Sequence, residues 1–159
     1  MNLFNHHFVD LSGARIYLER YRNQPFLIVN IATEARFTPQ IKGLQQLHTQ
    51  FRRHGLMVVA VPCNDFGEEP REEAEIDHFL RENYPATFIV TRRYATRGPE
   101  AHPLFRELLQ EHGSSILPRG SFSKYLFDRR GTLVKRFHAE TLPDDPGLTR
   151  HVNQRLGGV

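Results

Sequence analysis

The chain contains the apolar run Phe26-Leu27-Ile28-Val29-Asn30-Ile31-Ala32 and, further along, the run Leu56-Met57-Val58-Val59-Ala60-Val61. Continuous apolar strands of this kind are typical of a sheet that is covered on both faces. The residues between the two runs repeat apolar side chains at helical spacing. The stretch therefore predicts a strand, a helix and a second strand that is parallel to the first, with a right-handed crossover.

The signals for the ends of this helix are local. Thr38 is a residue type suited to the N-cap, and Pro39 suits the first helical position. Gly55 is expected to end the helix. The inward-facing positions are predicted to be Ile41, Leu44, Leu47, His48 and Phe51.

Other elements follow from the same reasoning on both sides of this unit. Residues 8–18 have the pattern of a hairpin with a Ser12-Gly13 turn. The remaining predicted elements are helices over about 71–83, 102–113 and 145–156, a strand over 87–91, and an antiparallel hairpin over 125–137. We therefore predict an α/β fold with a mixed central sheet, helices on both of its faces and an N-terminal β-hairpin, in one domain spanning 1–159.

The composition is that of an ordinary globular protein. Of 159 residues, 39% are hydrophobic and 25% are charged. The longest purely apolar run is far shorter than the roughly 20 residues of a membrane span, so we expect no membrane insertion. The first residues lack the basic and apolar regions of a signal peptide, and we expect a cytoplasmic protein.

The net charge argues against a nucleic-acid partner, and the spacing of the histidines argues against a metal ion. The net charge is only +3 and no basic run is interleaved with stacking aromatics, so a nucleic-acid surface is not expected. The nine histidines show neither HxxxH nor HExxH spacing, and we predict no metal site and no cofactor. Cys63 is the only cysteine, which excludes an internal disulfide.

Several blocks of sequence, in order along nearly the whole chain, resemble the glutathione peroxidase family. The blocks run from Phe26 to Thr33 and on through Phe37-Thr38-Pro39-Gln40, over Val61-Pro62-Cys63-Asn64-Asp65-Phe66-Gly67 with Glu69-Pro70, over Ala101-His102-Pro103-Leu104-Phe105, and over Phe122-Ser123-Lys124-Tyr125-Leu126-Phe127-Asp128. This resemblance implies the thioredoxin-like fold and an ancestry in peroxide reduction.

The resemblance also implies where catalytic residues should stand, and this chain departs from the pattern at each place. The peroxidatic cysteine or selenocysteine corresponds to Ala35, the glutamine to Asp65, the tryptophan to Gly120 and the asparagine to Ser121. Members that use thioredoxin carry a resolving cysteine where this chain has Leu80.

These replacements remove the chemistry. A thiolate lone pair must attack the O–O bond, and the methyl group of Ala35 has none. A carboxylate at Asp65 would raise the pKa of a nearby thiol, which is the wrong direction for peroxide reduction. We therefore expect an inactive pseudo-peroxidase with a binding, scaffold or regulatory role.

Two alternatives remain open on the sequence. Cys63 could act as a weak peroxidatic or redox-sensing thiol, or it could be an inherited buried residue. The vacated pocket could also bind a small anionic ligand or a carboxylate of a partner protein. The residues predicted for such a site are Arg36, Thr38, Asp65, Ser121 and Ser123. The short segment before Phe122 favours a monomer or a weak dimer, as in relatives with a compact segment there.

Overall fold

The structure, a computed structural model, describes residues 1–157. The last two residues of the predicted 1–159 domain lie outside the described part. The strands are β1 (His7–Val9), β2 (Arg15–Tyr17), β3 (Phe26–Ile31), β4 (Met57–Pro62), β5 (Ile89–Val90), β6 (Lys124–Phe127) and β7 (Leu133–Phe137). The α-helices are α1 (Gln40–Phe51), α2 (Glu73–Asn83), α3 (Pro103–His112) and α4 (Pro146–Arg155).

The central sheet is mixed, as predicted. Its five strands lie in the order β5-β4-β3-β6-β7. The strands β3, β4 and β5 are parallel, whereas β6 runs antiparallel to both β3 and β7. It follows that β7 points the same way as β3, and that both strands end at the same edge of the sheet.

Successive residues of β3 point to opposite faces and so divide the core in two. Leu27, Val29 and Ile31 pack with apolar residues of α1, α2 and α4. Phe26 and Ile28 pack with α3 and with the N-terminal residues. Helices therefore cover both faces of the sheet, and every residue of β3 is buried.

The N-terminal hairpin forms a separate two-stranded sheet, β1 with β2. The carboxylate of Asp10 stabilises its turn by accepting hydrogen bonds from the backbone N of Ser12 and of Ala14, each at 2.9 Å. The hairpin predicted over 8–18 is thus confirmed, although Leu18 begins a short 3₁₀ segment rather than ending the strand.

The helix ends were predicted less well than the helices. The expected N-cap role of Thr38 is wrong, because α1 begins at Gln40 and no side chain caps it. The helix α2 begins two residues later than expected, and Glu72 and Glu75 form a capping box there. The expected strand over 87–91 is reduced to Ile89–Val90.

His102 explains why a His-Pro pair precedes α3. Its Nδ1 accepts a hydrogen bond from the backbone N of Leu104 at 3.0 Å, while Nε2 lies 2.7 Å from the carbonyl oxygen of His7. The ring also stacks on Phe8, with centroids 4.1 Å apart. His102 therefore caps the helix and joins it to the N-terminal segment, and burial lowers the pKa of His102 to about 4.

Candidate functional site

A pocket of about 500 Å³ lies at the edge of the sheet where β3 and β7 end. Sites in α/β proteins commonly lie at the carboxyl ends of strands. Four loops form its wall, and we name it the Ala35 pocket. Its lining comprises Ala35, Arg36, Phe37, Glu68, Arg119, Gly120, Ser121, Ser123, His138, Ala139 and Glu140.

Asn30, the one polar residue of β3, holds the loop that carries Gly120 and Ser121. Its Nδ2 donates to the carbonyl oxygen of Gly120 at 3.0 Å. Its backbone oxygen accepts from the N of Phe122, and its backbone N donates to the oxygen of Ser123. Three hydrogen bonds thus fix this wall of the pocket to the centre of the sheet.

Phe122 adopts a backbone conformation that is unusual for a bulky residue. Its φ angle is +76°, and its side chain is fully buried. A non-glycine residue in this region costs about 1–3 kcal/mol and persists only where its surroundings enforce it, which is common at functional sites. The Asn30 contacts and the buried ring supply that enforcement.

Glu68 lines the pocket beside Ser121. The Oγ of Ser121 donates a hydrogen bond to Oε1 of Glu68 at 2.8 Å. The backbone oxygen of Glu68 accepts from the N of Glu34 at 3.1 Å, which fixes the loop before α2 against the loop after β3. Ser121 is 4% exposed whereas Glu68 is half-buried, so this hydrogen bond is partly shielded from water.

The side chain of Lys124 joins two loops of the pocket wall. Its ammonium group is fully buried and donates to the carbonyl oxygens of Phe122 at 2.8 Å and Ala139 at 3.3 Å. The amide of Gln40 donates to the same oxygen of Ala139 at 2.7 Å. Burial lowers the pKa of Lys124 to about 8, against the opposing field of Glu140.

The mouth of the pocket carries exposed charges of both signs. Arg36 lies over the ring of Phe37, with its guanidinium carbon 5.2 Å from the ring centroid. Arg119 and Glu140 are exposed as well. Within residues 1–157 none of the three takes part in an ion pair. The guanidinium groups of Arg36 and Arg119 are therefore free to bind an anionic group.

Asp65 does not line the Ala35 pocket. Its Oδ2 accepts hydrogen bonds from the backbone N and from Oγ1 of Thr96, at 2.8 and 2.6 Å. The carboxylate is thereby turned to the loop that follows β5. It borders a separate, smaller depression with Arg93 and Tyr94.

Cys63 and Thr38 also lie outside the pocket lining. The Cys63 side chain is fully buried, and burial raises the pKa of the Cys63 thiol to about 12. The hydroxyl of Thr38 donates to the oxygen of Ala32 at 2.8 Å and accepts from the N of Ala35 at 2.9 Å. Of the predicted binding residues, the pocket thus contains Arg36, Ser121 and Ser123, but neither Thr38 nor Asp65.

Four charged or titratable residues of the pocket were not predicted from the sequence, namely Glu68, Arg119, His138 and Glu140. His138 and Glu140 follow β7, and a topology with β7 parallel to β3 would have placed them at the same edge as Ala35. Glu68 lies in an acidic stretch before α2, a pattern that is also typical of a solvated loop. Glu34 forms an ion pair with Arg71 at 3.5 Å, and among residues 1–157 no ion pair joins it to the neighbouring Arg36.

The residues that the structure describes contain neither a candidate metal site nor a candidate membrane-spanning helix. No group of three or more histidine, cysteine, aspartate or glutamate side chains is arranged to hold a metal ion there. No helix in that part of the chain is long and apolar enough to cross a membrane.

Solved structures share the fold of this chain. A crystal structure of Trgpx in its apo form has a TM-score of 0.78 at 23% identity, and the match covers 99% of this chain and 96% of Trgpx. A thioredoxin-family thiol:disulfide interchange protein from Chlorobium tepidum has a TM-score of 0.72 at 13% identity, covering 96% and 93%. The chain is therefore a thioredoxin-fold protein.

Comparison of sequences identifies the family. The family profile described as glutathione peroxidase matches residues 3–109. A Lactococcus lactis protein named glutathione peroxidase is 32% identical over 148 residues, covering 91% of this chain and 94% of its own. A Synechocystis protein named hydroperoxy fatty acid reductase gpx1 is 36% identical over 144 residues, covering 85% of each. The chain belongs to the glutathione peroxidase family, as its sequence blocks indicated.

Proposed function

We propose that this chain is a pseudo-peroxidase, a member of the glutathione peroxidase family that binds a ligand or partner and does not reduce peroxide. The observation that carries the proposal is Ala35, which lines the pocket at the position where the family resemblance implies the peroxidatic residue. A methyl group cannot attack a peroxide bond. The neighbouring replacements Gly120 and Ser121 line the same pocket.

The frame around this pocket supports a role in binding. The strained backbone at Phe122 and the buried ammonium of Lys124 are both costly features. Both features hold the pocket wall in place. If the thiol has been lost as proposed, this wall no longer serves peroxide reduction. Retention of such features fits a pocket that still has an occupant.

The occupant that the pocket favours carries an anionic group. Two guanidinium groups, of Arg36 and Arg119, stand at the mouth without an ion pair in the described chain. Arginine binds carboxylate and phosphate through two parallel hydrogen bonds. Ser123 lines the pocket as well, but its hydroxyl donates to the carbonyl oxygen of Gly120 at 3.2 Å, so the two guanidinium groups are the groups available to an anion. A small anionic ligand or a carboxylate of a partner protein meets these requirements.

Nothing in the site favours the second candidate, a redox role for Cys63. A thiol with a pKa of about 12 carries almost no thiolate at neutral pH, and the side chain is closed to solvent. Cys63 differs on both counts from a reactive cysteine, whose pKa is lowered and whose sulfur is partly exposed.

The setting we propose is the cytoplasm, with the protein acting as a monomer or weak dimer and without a cofactor. The sequence expectations support this setting. Size-exclusion chromatography with light scattering would measure the oligomeric state, and a stable dimer at micromolar concentration would overturn that part of the proposal.

The binding role is tested by thermal unfolding in the presence of succinate, citrate, inorganic phosphate and phosphorylated sugars. A ligand present at 100 times its dissociation constant adds about 2.7 kcal/mol to stability. We expect at least one anion to raise the unfolding temperature of the wild type, with the rise abolished in Arg36→Ser plus Arg119→Ser. Variant Arg150→Ser, an exposed arginine on α4, is the matched control. A rise that survives in the double variant would contradict binding in this pocket.

A further inference from the structure

A second concavity, of about 430 Å³, adjoins the Ala35 pocket and shares Arg36 and Phe37 with it. It lies between the start of α1 and the loop that joins β7 to α4. We name it the Leu142 groove. Its remaining lining includes Pro39, Lys42, Gly43, Leu142, Pro143 and Asp144.

Leu142 is displayed at this groove rather than buried. Its side chain is 53% exposed, the largest value for a large hydrophobic side chain in the described part of the chain. The next residue, Pro143, is buried. Isolated exposed leucines are common, but Leu142 lines the same groove as the half-buried ring of Phe37 and the exposed ring of Pro39. The three side chains make up the apolar part of the groove lining.

Gly43 is the residue that permits this arrangement. A Cβ atom at Gly43 would lie 3.0 Å from Cγ and 3.2 Å from Cβ of Pro143. These contacts are tighter than most Cβ contacts in proteins, so a side chain at position 43 would push Pro143 away from α1 by a few tenths of an ångström. The loop thereby packs closely against the helix, and Leu142 is the residue just before this contact.

The charges at the groove define the chemistry of its partner. Lys42 and Arg36 are exposed, and within residues 1–157 neither takes part in an ion pair. Asp144 is the only acidic residue of the lining. The positive excess agrees with the net charge of +3 for the chain. An acidic group is therefore attracted to the groove, while its apolar lining favours an aliphatic or aromatic side chain.

We propose that the Leu142 groove binds a segment of a partner protein that carries an apolar anchor residue flanked by aspartate or glutamate. The proposal rests on the binding role inferred above and names the class of partner. Because the groove continues into the Ala35 pocket through Arg36 and Phe37, an extended peptide fits the joint surface better than a compact small molecule. A flanking carboxylate of the peptide can reach Arg36.

The test is a selection on the immobilised full-length chain with nine-residue peptides. Their central residue is leucine, isoleucine, methionine or phenylalanine, and their flanks are mixtures of aspartate, glutamate, serine, glycine and lysine. We expect acidic flanks to be enriched. Fluorescence anisotropy of the best peptide should show binding that weakens at higher salt, since exposed charges are screened.

Matched variants separate the groove from the pocket. Leu142→Ser should weaken the selected peptide about tenfold or more, because the loss of one buried leucine is of that size. Lys42→Glu should weaken the acidic peptide and strengthen a lysine-flanked counterpart. Leu109→Ser, at the other exposed leucine on α3, is the control and should leave binding unchanged.

Three outcomes would overturn the proposal. One is that the library yields no peptide whose binding depends on Leu142, or that basic flanks are enriched. Another is dependence on Arg119 without dependence on Leu142, which would leave the binding role of the Ala35 pocket standing and remove the groove. The third is self-association in sedimentation that Leu142→Ser abolishes, because the occupant would then be a second copy of this chain.

Discussion

The carboxylate of Asp65 accepts two hydrogen bonds from a single residue, Thr96, from its backbone N at 2.8 Å and its hydroxyl at 2.6 Å. Thr96 is fully buried, so its backbone N has no access to water as an alternative partner. Asp65 thus joins the loop after β4 to the loop after β5, and it performs a structural task outside the Ala35 pocket.

This pairing predicts the effect of substitutions at Asp65. Asp65→Ala leaves a buried N–H without a partner and should lower the free energy of unfolding by about 1–3 kcal/mol. Asp65→Asn keeps one acceptor oxygen and should lower it less. Urea unfolding of both variants, combined with Thr96→Val in a double-mutant cycle, measures the coupling. Additive effects of the two substitutions would show that the hydrogen bond from the Thr96 hydroxyl contributes nothing, and wild-type stability in Asp65→Ala would show the same for the bond from the Thr96 backbone N.

The second prediction concerns the burial of Cys63, which contrasts with the accessibility of the Ala35 pocket to solvent. At pH 8 a thiol with a pKa of about 12 is ionised in roughly one molecule in ten thousand. Native wild-type protein should therefore resist iodoacetamide for hours and react only after unfolding in guanidinium.

The matched variant carries Ala35→Cys in a Cys63→Ser background. Residue 35 lines the open pocket and is half-buried, so this thiol should be alkylated within minutes under native conditions. Intact mass spectrometry follows both reactions. Equal rates for native and unfolded wild type would refute the burial of Cys63.

The third prediction concerns Asn30, which holds the loop of Gly120 and Ser121 at the Ala35 pocket. Asn30→Ala removes the hydrogen bond to the oxygen of Gly120 and should lower stability by about 1 kcal/mol. Asn30→Asp replaces the donor with a carboxylate that faces a carbonyl oxygen in a fully buried position, and should lower it much further. Hydrogen exchange at Ser121 and Phe122 should rise in both variants. Wild-type stability in Asn30→Asp would mean that the side chain does not hold the loop.

The fourth prediction concerns pH and His102. Burial lowers the pKa of His102 from 6.5 to about 4, so the native state keeps the ring neutral where the unfolded chain would protonate it. Unfolding thus takes up a proton between these values, and the native state loses stability as the pH falls from 6.5 to 4. A shift of this size corresponds to roughly 3 kcal/mol.

His102→Asn is the control, since asparagine can still cap α3 but does not titrate. Urea unfolding at pH 7 and pH 4.5 should show a smaller loss for the variant than for the wild type. The pKa of His6 is also lowered by burial, and its ring lies 5.9 Å from that of His102, but His6 is present in both proteins. An identical loss in both proteins would contradict the assigned role of His102.

The sequence predicted the parts of this fold that depend on long, uniform patterns. The strands β3 and β4 and the helix between them were predicted because their apolar residues repeat over many positions. The start of α1 was predicted wrongly, because the hydroxyl of Thr38 donates its hydrogen bond to the preceding oxygen of Ala32 and does not cap the helix. Competition between nearby backbone partners of this kind leaves no distinct sequence signal.

The site was predictable to the extent that it lies close to sequence blocks. Arg36, Ser121 and Ser123 were expected and line the Ala35 pocket. Asp65 was misplaced because its partner, Thr96, lies in a loop after a different strand, and no local pattern links the two. Glu140 was missed because its presence depends on β7 ending at the same edge as β3.

The most direct test of the central claim is the consumption of hydrogen peroxide and of an organic hydroperoxide by the untagged, metal-free wild type. The assay supplies either glutathione with its reductase or thioredoxin with its reductase, and Cys63→Ser is run in parallel. We predict no turnover above the buffer rate for either protein. Sustained turnover by the wild type that Cys63→Ser abolishes would contradict the pseudo-peroxidase assignment.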